Sequence, residues 1–258
     1  MSATTDGRAA MKTIVFSGPS ISEAEVQRLA ACIHAPPIKR GDLAVVGDYD
    51  VFVILDGEFG QNLSVSPKEI LAVLERGKTV IGASSMGALR ASELDRAGMI
   101  GVGWVYDYFR RSAVRRDADV ALVYSPFDFK PMTVPMVDVE YWMEQASAAG
   151  LIPDREKARV LKAARNIFFA DRSVDRLMES LRHAVGGHTV ESLLAFSGGT
   201  IPSVKSADAA EAVRLGASLA RAFSSEVDTG SRSNQACADC ADLSAVENAS
   251  KQKIEPRF

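Results

Sequence analysis

Residues 79–94, TVIGASSMGALRASEL, read as a buried strand, a tight turn and the start of a helix. Thr79 to Ala83 are apolar or β-branched, and Met86, Leu89, Leu94 and Ala97 then fall near helical spacing until Gly98 supplies a stop. The layout resembles a nucleophile elbow, in which a serine sits on a sharp strand-to-helix turn. Such a turn lifts the hydroxyl clear of the backbone. The first free N–H groups of the helix and its dipole lie beside it and stabilise a developing oxyanion. Ala83 stands where the elbow pattern has its first glycine. The same residues also describe a small-residue turn in which Ser84 or Ser85 caps the helix.

Two similar units precede this one. Residues 12–16 form a strand that runs into Ser17, Gly18, Pro19 and Ser20. That turn is either a plain connection or a nest of free N–H groups for an anion or carboxyl group. Ser22 and Glu25 make a capping box for a helix expected to reach about His34, and Pro36 and Pro37 follow it. Residues 50–55 are an apolar run with the look of a buried parallel strand, ending at Asp56 and Gly57. Open α/β sheets put their ligands at the carboxyl ends of such strands, although an acid there also caps loops locally. Ser66 as N-cap, Pro67 at N1 and Glu69 at N3 open the next helix. Lys68 is thereby in the first turn, where the dipole disfavours a cation and favours loss of its proton. A neutral lysine activates a serine where no histidine is at hand; the alternative is a solvated surface lysine. Right-handed crossovers between these units give a parallel sheet. Ser17, Asp56 and Ser85 then share one carboxyl edge, with Lys68 close to it.

Residues 98–108 are rich in glycine and aromatics, but Gly101 and Gly103 lack the full dinucleotide-binding spacing. Residues 110–116 form a short basic cluster, read as a solvated loop or a protein-contact surface. Residues 120–124 and 132–139 look like two further short strands. From about Val139 the spacing is helical, over 139–149, 154–169, 173–184, 189–197 and 206–223. Asp171 and Arg172 within this region suit an interhelical ion pair or an interface. The fold class expected is α/β, a small mostly parallel sheet core followed by a helical C-terminal region. Its boundaries are a disordered leader over 1–11, with Met11 as an alternative start, the core over 12–138, helices over 139–224 and a disordered tail over 225–258.

The 258 residues carry a formal charge of −3 and no basic run of the kind that marks a nucleic-acid surface. No apolar stretch reaches membrane-spanning length and no secretory segment opens the chain, so a cytoplasmic protein is expected. Cys32 reads as a buried helix residue. Cys237 and Cys240 form a CxxC in the polar tail without a second pair. His34, His183 and His188 show no metal spacing, and none is expected near a strand end as part of a Ser–His–Asp triad. No metal and no cofactor are expected.

Residues 82–94, GASSMGALRASEL, resemble the G-A-A-S-M-G-A-L-R-A-A-E-L of the TfuA family, named from trifolitoxin biosynthesis. Gly98 to Gly103, Phe16 to Ser20, Gly41 to Leu43, Asp56 to Phe59 and Lys68 to Leu71 also match, so the likeness spans about residues 12–140. The resemblance implies a partner of YcaO-type ATP-dependent enzymes, which activate peptide amide oxygens and make backbone thioamides. It further implies hydrolysis of the C-terminal thiocarboxylate of a ubiquitin-like sulfur-carrier protein, which supplies sulfide to the YcaO partner and through it to the peptide. The family's Ser–Lys pair carries over to Ser85, in its A-S-M-G, and to Lys68, in its K-E-I-L. Pro67 stands where the family often has histidine, and Ser84 where it has alanine, which makes Ser84 a rival to Ser85.

On that basis Lys68 takes the Ser85 proton and Ser85 attacks the thiocarboxylate carbon. The N–H groups of Met86 and Gly87, with that of Gly18, hold the oxyanion. Asp56 orients Lys68 or the carrier's terminal glycines. Arg90 meets the thiocarboxylate charge or pairs with Glu93 instead. Two rival functions are a non-catalytic protein that binds and activates a YcaO enzyme, and a phosphate- or nucleotide-binding α/β protein using the turn at 17–20.

Overall fold

Five short strands form one wholly parallel sheet: β1 (Thr13–Phe16), β2 (Ile33–Ala35), β3 (Val51–Ile54), β4 (Thr79–Ala83) and β5 (Ile100–Val102), in the order β2-β1-β3-β4-β5. The computed structural model describes residues 11–60, 62–113 and 116–228, with side chains to residue 222. The helices are α1 (Glu23–Leu29), α2 (Asp42–Val45), α3 (Pro67–Glu75), α4 (Met86–Leu94), α5 (Gly103–Arg111), α6 (Met136–Ala148), α7 (Asp154–Arg165), α8 (Val174–Val185), α9 (Gly187–Phe196) and α10 (Val204–Asp228).

Alternation along the strands sorts the layers. Ile14, Phe16, Phe52, Ile54 and Val80 face one core, which α3, α4 and α5 cover through Ile70, Leu89 and Val105. Val15, Val51, Val53 and Ile81 face the other, which α1 covers with Val26 and α10 with Ala209, Ala212 and Val213. Gly216 of α10 lies so close to the sheet that a β-carbon there would meet the Val53 side chain at 2.8 Å. Helices α6 to α9 enclose a third core around Trp142, Met143, Leu177, Leu181 and Leu193. Trp104 ties α5 to α6, stacked on Tyr108 and edge-on to Tyr141. One compact unit ends at Ser224; beyond it only the close of α10 is described.

The expected α/β class, parallel sheet and helical C-terminal region are all present. Both capping boxes form, at Ser22 with Glu25 and at Ser66 with Glu69. Three local expectations are corrected. Helix α1 ends at Leu29 rather than near His34, because Ile33 to Ala35 pair along β1 and close its outer edge. Cys32 is therefore half-buried and outside the helix. The glycine-rich stretch after Gly98, to which the sequence assigned no element, forms β5 and α5. The strands expected at 120–124 and 132–139 do not form; Tyr124 and Pro131 meet in an isolated bridge, and Met136 already begins α6. That helix start is apolar on both sides because Val137 faces the sheet core while Met136 and Val139 face the helical one. A first turn buried on every side, Asp138 included, carries no helical period of apolar and polar residues.

Arg172 does not pair with Asp171. Its guanidinium is buried and donates to the carbonyls of Ala164, Ile167 and Val134, while Asp171 lies 3.5 Å from Arg176. In the basic cluster, Arg110 pairs with Asp95, and Arg111 lies over the Trp104 ring. Cys237, Cys240, residues 1–10 and residues 229–258 lie outside the described residues. Among the described residues no helix is long and apolar enough to cross a membrane.

Candidate active site

The chain leaves β4 through Ser84, which has φ of 68°, and Ser85, with φ −130° and ψ −117°, and enters α4 at Met86. A left-handed serine persists only where its surroundings hold it. Here Ser84 Oγ donates to Ser20 Oγ at 2.7 Å and the side chain is fully buried. A β-carbon on Gly82 would overlap the Gly87 carbonyl, and one on Gly87 would overlap the Ile54 carbonyl. The two glycines thus let the first turn of α4 sit directly on the sheet. The Gly87 N–H donates to Leu55 O at 3.2 Å, so it is not the oxyanion donor expected of it. Met86 is the first helical residue, a position whose N–H has no partner within its own helix.

Ser85 makes no capping bond. It lines a cavity of about 130 Å³ with Asp56, Gly57, Val120, Tyr124 and Lys205. The structure thus separates the two serines: Ser84 is bonded away, whereas Ser85, though buried, lines the cavity.

Asp56 is the hub of the carboxyl edge. Its Oδ2 accepts from the N–H of Gly18 and of Ser20, each at 2.9 Å, and its Oδ1 from Ser20 Oγ at 2.6 Å. The strand order switches direction between β1 and β3, the place where such sheets bind ligands. In this chain the buried acid fills that role. Ser17 N–H donates to Ala35 O and Pro19 has none, so every amide of the 17–20 turn is accounted for. Gly18 therefore cannot serve the oxyanion, and the turn offers no amide to a phosphate. That removes the basis of the phosphate-binding reading.

The remaining expected residues are elsewhere. Lys68 is exposed on the first turn of α3 and lines neither of the two cavities at this edge. Arg90 donates to Val65 O at 2.9 Å and pairs with Glu93 at 2.9 Å, which is the internal alternative. Ser17 Oγ lies 3.0 Å from His34 Nε2, with Glu23 3.8 Å from the other ring nitrogen. A histidine does therefore reach a strand end, contrary to expectation, because residues 33–35 are strand rather than helix. Ser17 is wholly buried and lines neither cavity.

Lys205, in the first turn of α10, went unremarked in the sequence. It is 2% exposed, and its Nζ donates to Val120 O at 3.1 Å, the single acceptor within reach among the described residues. Burial pushes its pKa down, and the charges of Asp56 and Asp138 oppose that. Asp138 accepts from the Val204 N–H at 3.0 Å, and burial raises its carboxyl to about 6. Lys205 also lines a second cavity of about 340 Å³, walled by Leu122, Val134, Met178, Leu194 and Ile201. Pro19 and Leu122 line both cavities as well.

The family model for TfuA-like protein matches residues 56–173. This segment is TfuA-like. It opens at Asp56 and carries the whole Ser84–Ser85 turn, whereas Ser20 and Lys205 come from either side of it. No curated protein matches the chain. The TfuA-like match supports an accessory role in thioamide modification, in company with a YcaO enzyme. Among the described residues no cluster of His, Cys, Asp and Glu is arranged to hold a metal ion.

Proposed function

We propose that this protein hydrolyses the C-terminal thiocarboxylate of a small ubiquitin-like sulfur-carrier protein. The sulfide released serves a YcaO enzyme that forms backbone thioamides in a ribosomally made peptide. The observation that carries this reading is Ser85, an elbow serine facing a cavity inside a TfuA-like segment.

The chemistry follows from the elbow. Ser85 Oγ attacks the thiocarboxylate carbon. The Met86 N–H, at the positive end of α4, faces the charge that develops on oxygen. Sulfur leaves and water clears the acyl-enzyme. A cavity of about 130 Å³ suits a chain end without side chains, such as terminal glycines. The adjoining 340 Å³ cavity, largely apolar, suits the residues behind them.

The test is sulfide release from a thiocarboxylated carrier protein by wild type, Ser85→Ala and Ser84→Ala. Release by wild type and Ser84→Ala but not by a folded Ser85→Ala supports the reading. If wild type releases no more than buffer, the reading fails, and the protein acts on its YcaO partner by binding alone.

A further inference from the structure

The cavity that Ser85 lines holds about 130 Å³, and three aromatic side chains stand in its wall: Phe59, Tyr124 and Phe169. Phe59 packs against one core of the sheet, and the Phe169 ring lies 4.5 Å from that of the exposed Phe168. Tyr124 comes instead from a loop that doubles back on itself. Tyr124 and Pro131 form its bridge, the Met132 N–H donates to Val123 O at 2.8 Å, and the Ser125 N–H donates to Lys130 O at 2.9 Å.

The side chain of Tyr124 is braced as well as its backbone. Its hydroxyl donates to Glu58 at 2.9 Å. Glu58 is itself fixed, because its N–H donates to Ile38 O at 3.0 Å and the Ile38 N–H donates to Asp56 O at 3.0 Å. Burial, then the bond to Glu58 and its charge, push the phenol's pKa up, so the hydroxyl keeps its proton and goes on donating. The Tyr124 ring lies 5.7 Å from that of Phe129. Phe129 has φ of 57°, a left-handed conformation that a bulky residue keeps only where its surroundings hold it. Its N–H donates to Ser125 O at 2.9 Å, and its ring sits 3.2 Å from where a β-carbon on Gly18 would be. A ring tied at its hydroxyl, backed on one side and anchored through a bridged backbone does not swing aside for a larger guest.

We infer that Tyr124, braced by Glu58 and Phe129, is the residue that restricts the last residue of the substrate to glycine. The inference rests on the reading of this site as one for a carrier's chain end, and it names what selects that end. Glycine brings no side chain into the cavity. Alanine brings a methyl group on the carbon next to the carbonyl that Ser85 attacks, and that methyl meets a wall that does not yield. One extra carbon in a close-packed site is worth about 10- to 200-fold in discrimination.

The test compares two versions of the sulfur-carrier protein, one ending in glycine and one in alanine, each as the thiocarboxylate. Sulfide release by wild type should favour the glycine end by about 10-fold or more in kcat/KM. Tyr124→Ala should bring the two ends to nearly equal rates. Tyr124→Phe, which keeps the ring and loses its tie to Glu58, should fall between. The ratio of the two rates is the readout, because a variant that merely folds less well lowers both alike. Tyr124→Leu, which keeps an apolar contact for Phe129, gives the same ratio where the alanine variant is poorly soluble. Binding supplies a readout without turnover: the two carriers in carboxylate form are titrated into Ser85→Ala, with and without Tyr124→Ala. Affinity should favour the glycine end in the first protein and neither end in the second. Equal rates or equal affinities for the two ends with Tyr124 in place overturn the inference, as does a preference undiminished in Tyr124→Ala and Tyr124→Leu. Preferential binding of the glycine end without sulfide release by wild type leaves it standing and overturns the hydrolysis. Binding of neither carrier overturns both.

Discussion

Ser20 donates twice to Asp56, from its N–H to Oδ2 at 2.9 Å and from its hydroxyl to Oδ1 at 2.6 Å. With the Gly18 N–H on Oδ2, one buried carboxyl group ties the turn after β1 to the end of β3. Asp56→Ala leaves three buried donors without an acceptor. The expected cost is about 3 kcal/mol, at roughly 1 kcal/mol for each bond. A urea unfolding curve measures it, and a midpoint equal to wild type would contradict the bonding described.

Ser84 and Ser85 should respond oppositely to small changes. Ser84→Ala loses one buried hydrogen bond and should cost about 1 kcal/mol while keeping turnover. Ser84→Gly loses the same bond but accepts φ of 68° without strain, so it should be at least as stable as the alanine variant. Ser84→Val, β-branched in a left-handed position, should be the least stable of the three. Thermal melts rank them, and a different order would count against the turn geometry.

Gly87→Ala should be harsher than any of these. The added methyl meets the Ile54 carbonyl, which is backbone of a central strand and cannot rotate aside. A loss of about 3 kcal/mol or more is expected, at the upper end for overpacking. Soluble yield and melting temperature report it. A Gly87→Ala protein as stable as wild type would show that α4 does not pack on the sheet this closely.

Asp208 makes stability depend on pH. From α10 it accepts the Trp104 N–H at 2.9 Å and the Val105 N–H at 2.7 Å, and so caps α5, whose own N-cap Val102 has no side-chain bond to offer. Burial pushes its carboxyl up to about 7; the two N–H bonds oppose this, and Glu211 and Asp107 add to it. The folded state then holds the proton more tightly than the unfolded chain, where the value is about 3.9. Stability therefore falls as pH rises between those two values. Asp138, raised to about 6, has the same sign. Glu25 and Glu69, held low at the capping boxes, act in the opposite sense below that window. Melts at pH 5 should exceed those at pH 8, and Asp208→Asn should flatten the difference. An unchanged slope in that variant would remove Asp208 as its source.

The features legible in the sequence were local ones. Ser66, Pro67 and Glu69 specify a helix start from neighbouring residues alone, and the apolar run at 50–55 specifies a central strand. Ile33 to Ala35 gave no such signal. Three residues are too few for a period, and their strand exists only through pairing with β1. The serine was legible because its turn is built from adjacent residues. Its surroundings were not, since Ser20, Asp56 and Lys205 meet across 185 positions of chain, from 20 to 205. Lys205 carried one usable sign, a lysine in the first turn of a helix after Pro202. On a sequence such a residue looks solvated, because nothing local reveals that α10 returns to the sheet. Lys68 showed the reverse: the same helical position, but on an exposed turn.

The close packing of Gly216 against Val53 brings the last described helix home to the middle strand of the sheet. During synthesis, a ribosome that has delivered residue 173 has already made the entire TfuA-like segment, yet neither Lys205 nor the rest of α10, which shares the cover of the second face with α1. At that point Ser85 and Asp56 are made, but the cavity they line still lacks Lys205 from its wall. Translation order itself thus leaves that cavity open on one side until α10 has emerged.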